Sequence, residues 1–182
     1  MKKIILSFTF VIMAFPLLVA AQWPSNVTPL DGNGSDSATV SGNLANGAIM
    51  QDLSWAANSS NACFVSLQNW KFSGNHVLYA TTIPPRSIMT ITVSPADTNV
   101  NLSLYGYMIG AKEFKVVPNL LYCINCEADF KWDRPVKNKV QTSERKILFQ
   151  NPTQNTSNIV IGVAAPKDVS TGEFNLKIKL KL

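Results

Sequence analysis

The last ten residues alternate strictly between polar and apolar side chains. The apolar set is Phe174, Leu176, Ile178, Leu180 and Leu182, and the polar set is Glu173, Asn175, Lys177, Lys179 and Lys181. Successive side chains of a β-strand point to opposite faces, so one set would lie in a core and the other in solvent. Burying five such side chains is worth on the order of 10 kcal/mol, at ~1.5–3 kcal/mol each. The pattern therefore predicts a strand that covers a hydrophobic core with one face.

Other segments carry related strand signals. Residues 88–93 and 100–104 alternate in the same way but less cleanly, whereas residues 159–164 are nearly all apolar. A continuous apolar run is typical of a central strand that is covered on both faces. Such runs recur roughly every 8–12 residues, which is the spacing of a β-sandwich or barrel. The sequence predicts an all-β domain over residues 62–182, an antiparallel, jelly-roll-like β-sandwich of about eight strands.

The segment from Phe72 to Tyr107 adds a more specific signal, because turn sequences separate its three β-rich runs. The turns are Ser73-Gly74-Asn75, Pro84-Pro85-Arg86-Ser87 and Ser94-Pro95-Ala96-Asp97, and the last run is Asn99-Val100-Asn101-Leu102-Ser103-Leu104-Tyr105. Together with the terminal Gly172-Glu173-Phe174-Asn175-Leu176, this order resembles the bacterial pre-peptidase C-terminal (PPC) domain family over residues 64–179. The resemblance implies an accessory β-sandwich of the kind usually appended to secreted enzymes.

The N-terminus has the layout of a secretory signal peptide. Met1-Lys2-Lys3 gives a positive start, residues 4–19 are apolar apart from Ser7 and Thr9, and Ala20-Ala21 offers a small-residue cleavage site. We expect a cleaved signal peptide over residues 1–21. The mature chain would then begin near Gln22, contain no membrane span, and be secreted, periplasmic or attached to the cell surface.

Residues 22–61 are rich in glycine, proline, serine and asparagine. Such a segment buries too little apolar surface to offset the entropy lost on ordering, so we predict a flexible N-terminal extension. The stretch from Ile49 to Trp55 is the exception, and we expect it to pack against the domain.

The charge distribution bears on the possible partners. Removal of Lys2 and Lys3 with the signal peptide would lower the formal net charge from +5 to +3. This mild excess argues against nucleic acid as a partner, since nucleic-acid binding needs clustered basic residues interleaved with aromatic ones. We interpret Lys177, Lys179 and Lys181 as a guard against edge-to-edge strand pairing rather than as a contact for an acidic polymer.

The three cysteines are Cys63, Cys123 and Cys126. An oxidising compartment favours a disulfide, and an odd count leaves one thiol over. We expect a Cys63–Cys126 bridge, which would contribute ~4 kcal/mol by closing a long loop. A local Cys123–Cys126 bridge is the alternative, and it needs a turn between the two residues. A metal site is less favoured, because His76 is the sole histidine available as a further soft ligand.

No catalytic motif is recognisable in the sequence. His76 has no apparent serine or aspartate partner, and a lone histidine of this kind is more often structural or exposed than catalytic. Glu127 and Asp129 form the one close acidic pair outside the terminal turn, and we interpret them as surface residues. The alternation of oxygen ligands from Asp97 to Asn101 would suit calcium, but the family's second and third carboxylates are amides here, which favours turn capping. We therefore expect a protein that is not an enzyme and that has no cofactor and no metal.

One strand nevertheless suggested a binding surface. If Val100, Leu102 and Leu104 point inward, the amides of Asn99 and Asn101 share an outer face with the rings of Tyr105 and Tyr107, and Trp132 could join them. Planar rings and amides on a rigid strand can hold a sugar. The alternative is that the tyrosines pack beneath a loop. The function predicted is a binding or accessory module for carbohydrate or protein at the cell exterior. A small extracellular hydrolase or metal-dependent enzyme, and a structural or adhesive surface protein, remain as alternatives.

Overall fold

The computed structural model describes residues 22–31, 37–57, 66–120, 125–130, 137–138 and 141–182. The predicted signal peptide, Cys63, Cys123 and Trp132 lie outside these ranges. The described elements are mostly strands: β1 (Val27–Pro29), β2 (Ser37–Asn43), β3 (Ala48–Ile49), β4 (Asn75–Ile83), β5 (Ser87–Pro95), β6 (Ser103–Gly110), β7 (Asn125–Glu127), β8 (Arg145–Asn151), β9 (Ser157–Ala164) and β10 (Glu173–Lys181). The described helices are short: α1 (Ser54–Ala57) and two 3-10 helices, Leu44–Asn46 and Ser66–Phe72.

The strands form two sheets. A four-stranded antiparallel sheet has the order β2-β10-β5-β8. The second sheet has six strands in the order β1-β4-β9-β6-β7, with β3 also paired to β4. The β1–β4 pair is parallel and the other pairs are antiparallel. The predicted all-β sandwich is thus confirmed, with ten described strands instead of about eight.

The main hydrophobic core lies between the two sheets, and the alternating strands supply it. Met89, Ile91 and Val93 of β5 and Phe174 and Leu176 of β10 are at most 1 % exposed. Each meets apolar residues of the facing sheet within one continuous cluster. The alternation predicted from the sequence is therefore confirmed for both strands. The prediction that Leu182 is buried is wrong, because this residue follows the end of β10 and is 85 % exposed.

Strand β9 is central in the six-stranded sheet, as its continuous apolar run predicted. It pairs with β4 on one side and with β6 on the other. Every side chain from Asn158 to Ala164 is buried, because the sandwich core covers one face and a second apolar cluster covers the other.

The predicted flexible extension over residues 22–61 is wrong for the described part of that range. Strand β2 pairs with β10 along seven residues, and β1 and β3 both pair with β4. Leu44 is completely buried, and Trp55 is 3 % exposed, which confirms that the segment ending at Trp55 packs on the domain. Backbone pairing to existing strands stabilises these residues despite their polar composition.

Among the described residues, no helix is long and apolar enough to cross a membrane.

Candidate functional site

The predicted ligand platform is not present at the surface. Tyr105 and Tyr107 do share one face of β6, but their side chains are 0 % and 2 % exposed. Trp55 lies over both rings, with centroid separations of 5.5 and 6.2 Å. Phe72 packs edge-on to Tyr105 at 6.3 Å. The prediction of an exposed tyrosine pair is therefore wrong, and the alternative, tyrosines packed beneath other segments, is correct.

These rings belong to a second core on the outside of the six-stranded sheet. It joins residues of β4, β6 and β9 to residues of α1, the second 3-10 helix and the segment 116–120; its largest buried members are Trp55, Phe72, Tyr105 and Tyr107. Both faces of the six-stranded sheet are consequently covered, one by the other sheet and one by this cluster. A ligand cannot reach the tyrosines without displacing that cover.

The amides proposed for the platform lie before β6 and are separate from the tyrosines. Asn99 is exposed in a turn, where its backbone N–H and side-chain Nδ2 donate to Asp97 Oδ1 at 2.9 and 3.0 Å. Asn101 is half-buried. The Asp97 carboxylate therefore caps a turn, as the sequence suggested. Trp132, the fifth platform residue, is outside the described ranges, so its role stays a prediction.

His76 is a structural residue in the interior. Its side chain is 4 % exposed, and its Nε2 lies 2.6 Å from the carbonyl oxygen of Phe72. A carbonyl only accepts, so Nε2 carries the proton, and Nδ1 accepts from the Tyr105 hydroxyl at 2.9 Å. Burial lowers the pKa of His76 to about 4, against a smaller opposing effect of the Phe72 carbonyl. The imidazole is therefore neutral at physiological pH, with both nitrogens engaged.

A cavity of about 270 Å³ has His76 among its lining residues. Its lining residues are apolar side chains, glycine and the amides of Asn26 and Asn46, with no serine, cysteine or carboxylate. A catalytic histidine needs a nucleophile or an acid beside it, and the lining of this cavity contains neither.

The other candidate groups for chemistry have local roles. Glu127 Oε1 accepts from the backbone N–H of Asp129 at 3.0 Å, so this acidic pair stabilises its own turn. Within the described ranges, no group of three histidine, cysteine or acidic residues is arranged to hold a metal ion. Cys126 is disulfide-bonded. Both of its possible partners, Cys63 and Cys123, are outside the described ranges, so the Cys63–Cys126 pairing stays a prediction.

One sheet face of the sandwich is not covered by any other described element. It is the solvent side of the four-stranded sheet, called here the outer face. It consists of the side chains that point away from the core on β2, β10, β5 and β8. Six of them are hydroxyls: Ser37, Thr39, Ser41, Thr90, Thr92 and Ser94. Four are lysines: Lys146, Lys177, Lys179 and Lys181.

The strand register fixes how these side chains alternate. One row across the sheet reads Lys146, Thr92, Lys177, Thr39, since each is the direct Cα partner of the next. The adjacent row places Lys179 between Thr90 and Ser37 in the same way. In these two rows, ammonium groups of β10 and β8 therefore lie next to hydroxyls of β5 and β2.

The interpretation of these lysines as an edge guard is wrong. Strand β10 is an interior strand, with β2 on one side and β5 on the other. Its lysines point perpendicular to the sheet and do not flank an open edge, so they cannot block strand addition in the way that edge lysines do.

Charge is distributed unevenly along the outer face. Its two acidic neighbours, Glu173 at the start of β10 and Glu144 just before β8, lie at one end, where Ser94 Oγ donates to Glu144 Oε2 at 3.3 Å. At the opposite end, Lys181 is the register partner of Ile88. Ile88 lines a shallow groove of about 460 Å³, and Arg86 and Gln150 also line it. Positive potential is thus concentrated over one end of the face.

Sequence reasoning had identified the lysines of β10 but missed Lys146 and Arg86. The sequence signal for Lys146 is weak: burial alternates along residues 145–151, but Arg145 is polar at a buried position and Leu148 is apolar at an exposed one. Arg86 was recognised as part of a turn, but its position beside the outer face depends on the pairing of β5 with β8 and β10.

No protein-family model and no curated protein matches the sequence. Similar solved structures include the periplasmic inhibitor of g-type lysozyme PliG from Aeromonas hydrophila (TM-score 0.46, 10 % identity, 86 % of this chain and 98 % of that one). Another is the surface-associated copper-binding protein CorA of Methylomicrobium album BG8 (0.43, 12 %, 86 % and 97 %). A third is the pre-peptidase C-terminal domain of collagenase from Bacillus anthracis (0.43, 9 %, 88 % and 100 %). A pre-peptidase C-terminal domain is thus among the structures to which the chain is similar.

Proposed function

We propose that this chain is a non-catalytic binding module that acts in the periplasm or outside the cell. It contacts its ligand, a carbohydrate or a protein, through the outer face of the four-stranded sheet. The location is inferred from the predicted signal peptide over residues 1–21.

The observation that carries the proposal is the difference between the two sheets. A β-sandwich has four sheet faces, and here three are buried: the two that meet in the core and the outside of the six-stranded sheet. No described segment covers the fourth, which spans four strands and presents hydroxyl, amide and ammonium groups on a rigid backbone. Such groups can form hydrogen bonds and ion pairs with a ligand while the folded strands lose little further entropy.

The residues most suited to catalysis support a non-enzymatic role. His76 is neutral, buried and hydrogen-bonded through both ring nitrogens. The carboxylates of Asp97 and Glu127 are occupied by turns of the backbone. Among the described residues, these groups do not converge on a shared cavity.

The test is to block the outer face at its centre. Thr92 lies between Lys146 and Lys177 in the register, and tyrosine at this position would stand above the sheet without disturbing the core. Ligands would first be found by screening the purified exported protein against glycan and protein arrays. The variant Thr92→Tyr should lose most of the binding to a ligand found there, with an unchanged thermal midpoint.

The matched control is Thr98→Tyr, which places the same side chain in an exposed turn beyond the end of β5. If Thr92→Tyr binds as wild type does, or if Thr98→Tyr is equally impaired, the outer face is not the contact surface.

A further inference from the structure

The four lysines of the outer face are close enough to act on one ligand. Lys177, Lys179 and Lys181 follow each other at every second position of β10, so their Cα atoms are about 6.8 Å apart. Lys146 lies two strands away from Lys177 in the same row, at roughly 9–10 Å. These separations are comparable to the Debye length of about 8 Å at physiological ionic strength, so the positive potentials reinforce one another.

The groups between the lysines also restrict the kind of ligand. Thr90 and Thr92 lie beside Lys179 and Lys177, and Thr39 and Ser37 lie on their other side. Hydroxyls can both donate and accept, so they suit a ligand that carries hydroxyl groups between its charges. A polymer of acidic sugars has this composition, with a carboxylate and several hydroxyls on each repeat.

Other anionic macromolecules fit the outer face less well. It carries no aromatic ring, so it lacks the stacking platform on which single-stranded nucleic acids bind. The apolar side chains that face solvent there are Ile88 and Leu148, fewer than an interfacial membrane contact requires. An array of polar groups that extends over four strands instead matches an extended chain lying along or across the strands.

We infer, on the basis of the proposed function, that the outer face binds an extended anionic polysaccharide. Lys146, Lys177 and Lys179 contact its carboxylates, and Lys181 and Arg86 extend the positive surface at one end of the sheet. The neighbouring threonine and serine hydroxyls bond the sugar hydroxyls.

The experiment compares a charged polymer with its uncharged methyl ester. Polygalacturonate and its fully methyl-esterified form share one sugar backbone, and the ester lacks the carboxylates. Binding of the exported protein to each would be measured by calorimetry at 50 and 500 mM NaCl. We expect at least tenfold tighter binding to polygalacturonate, and a loss of most of this preference at 500 mM salt, where charges on the surface are screened.

The lysines are tested with two triple variants that change the net charge equally. Lys146→Gln/Lys177→Gln/Lys179→Gln removes charge from the outer face. Lys112→Gln/Lys115→Gln/Lys167→Gln removes it from exposed loops that follow strands of the other sheet. An exposed ion pair is worth a factor of about 1.4–5 in affinity, so the first variant should bind on the order of tenfold more weakly. The second should stay within about twofold of wild type.

The outcomes separate this inference from the proposed function. Equal losses in both triple variants, absence of binding to polygalacturonate, or tighter binding to duplex DNA or phosphatidylglycerol vesicles would each overturn the polysaccharide inference. If the neutral ester binds as tightly and Thr92→Tyr still blocks it, the outer face is the contact surface and its ligand is uncharged. If Thr92→Tyr changes no binding at all, the proposed function fails as well.

Discussion

The buried histidine makes a specific prediction about stability and pH. His76 is the single histidine of the chain, and its neutral form is held between Phe72 and Tyr105 with a pKa of about 4. In the unfolded chain the same group has its ordinary pKa of 6.5. As the pH falls below 6.5, the unfolded state therefore takes up a proton that the folded state does not bind until about pH 4. Stability should fall across this window, whereas above it His76 makes no pH-dependent contribution.

The magnitude follows from the two pKa values. Each pH unit between the two pKa values lowers the free energy of unfolding by ~1.4 kcal/mol. The full loss is about 3 kcal/mol once the pH is below 4, and about 2 kcal/mol of it is reached at pH 5. Such a loss is a large part of the ~5–15 kcal/mol that stabilises a typical domain.

The assay is urea unfolding of wild type and His76→Gln at pH 7.5 and pH 5.0. The glutamine variant will be less stable at both values, because it repacks a buried site, but it has no proton to take up in this range. Wild type should therefore lose about 2 kcal/mol more than the variant between the two pH values. Tyr105→Phe, which keeps the histidine and removes the hydroxyl, should retain the pH dependence. Equal losses in wild type and His76→Gln would refute the neutral, buried state.

Three other outcomes are expected from the packing. Leu176→Ala should destabilise the fold by ~2–5 kcal/mol in denaturant unfolding, whereas Lys177→Ala should be near neutral; equal effects would contradict the observed facing of β10. A Cβ at Gly162 would overlap a tyrosine ring of the neighbouring strand, so Gly162→Ala should cost ~1–3 kcal/mol, and a neutral result would mean that the ring can move aside. Non-reducing peptide mapping should link Cys126 to Cys63, and a peptide that joins Cys126 to the other cysteine instead would overturn this pairing.

The fold was predictable wherever a strand borders the main core on one face. In β10 the apolar residues pack into that core, and in β5 Met89, Ile91 and Val93 do so, which is why their alternation with polar neighbours was informative. Strand β2 was missed because its residues are small and polar. Ala38 and Val40 do alternate with exposed hydroxyl residues, but the strand owes its stability to pairing with β10, which a local pattern does not reveal.

The binding surface could be predicted only in part, for a related reason. Alternation in β6 correctly placed Tyr105 and Tyr107 on the face opposite Leu104, but it does not say whether another segment covers that face. The cover comes from Trp55 and Phe72, which are distant in sequence and are brought there by tertiary packing. Conversely, the lysines of β10 were recognised, but their role depended on whether β10 is an edge or an interior strand. Sheet order is a long-range property that local patterns do not contain.

The most direct measurement of the central claim is the mapping of a bound ligand onto the two sides of the molecule. Isotope-labelled exported protein would be titrated with polygalacturonate oligomers while backbone amide and lysine side-chain resonances are followed by NMR. We predict that the largest shifts occur at Lys146, Thr92, Lys177 and Lys179, with little change around Trp55 and Trp70. Shifts concentrated on the six-stranded side, or spread evenly over exposed lysines such as Lys167, would contradict the assignment of the outer face as the binding surface.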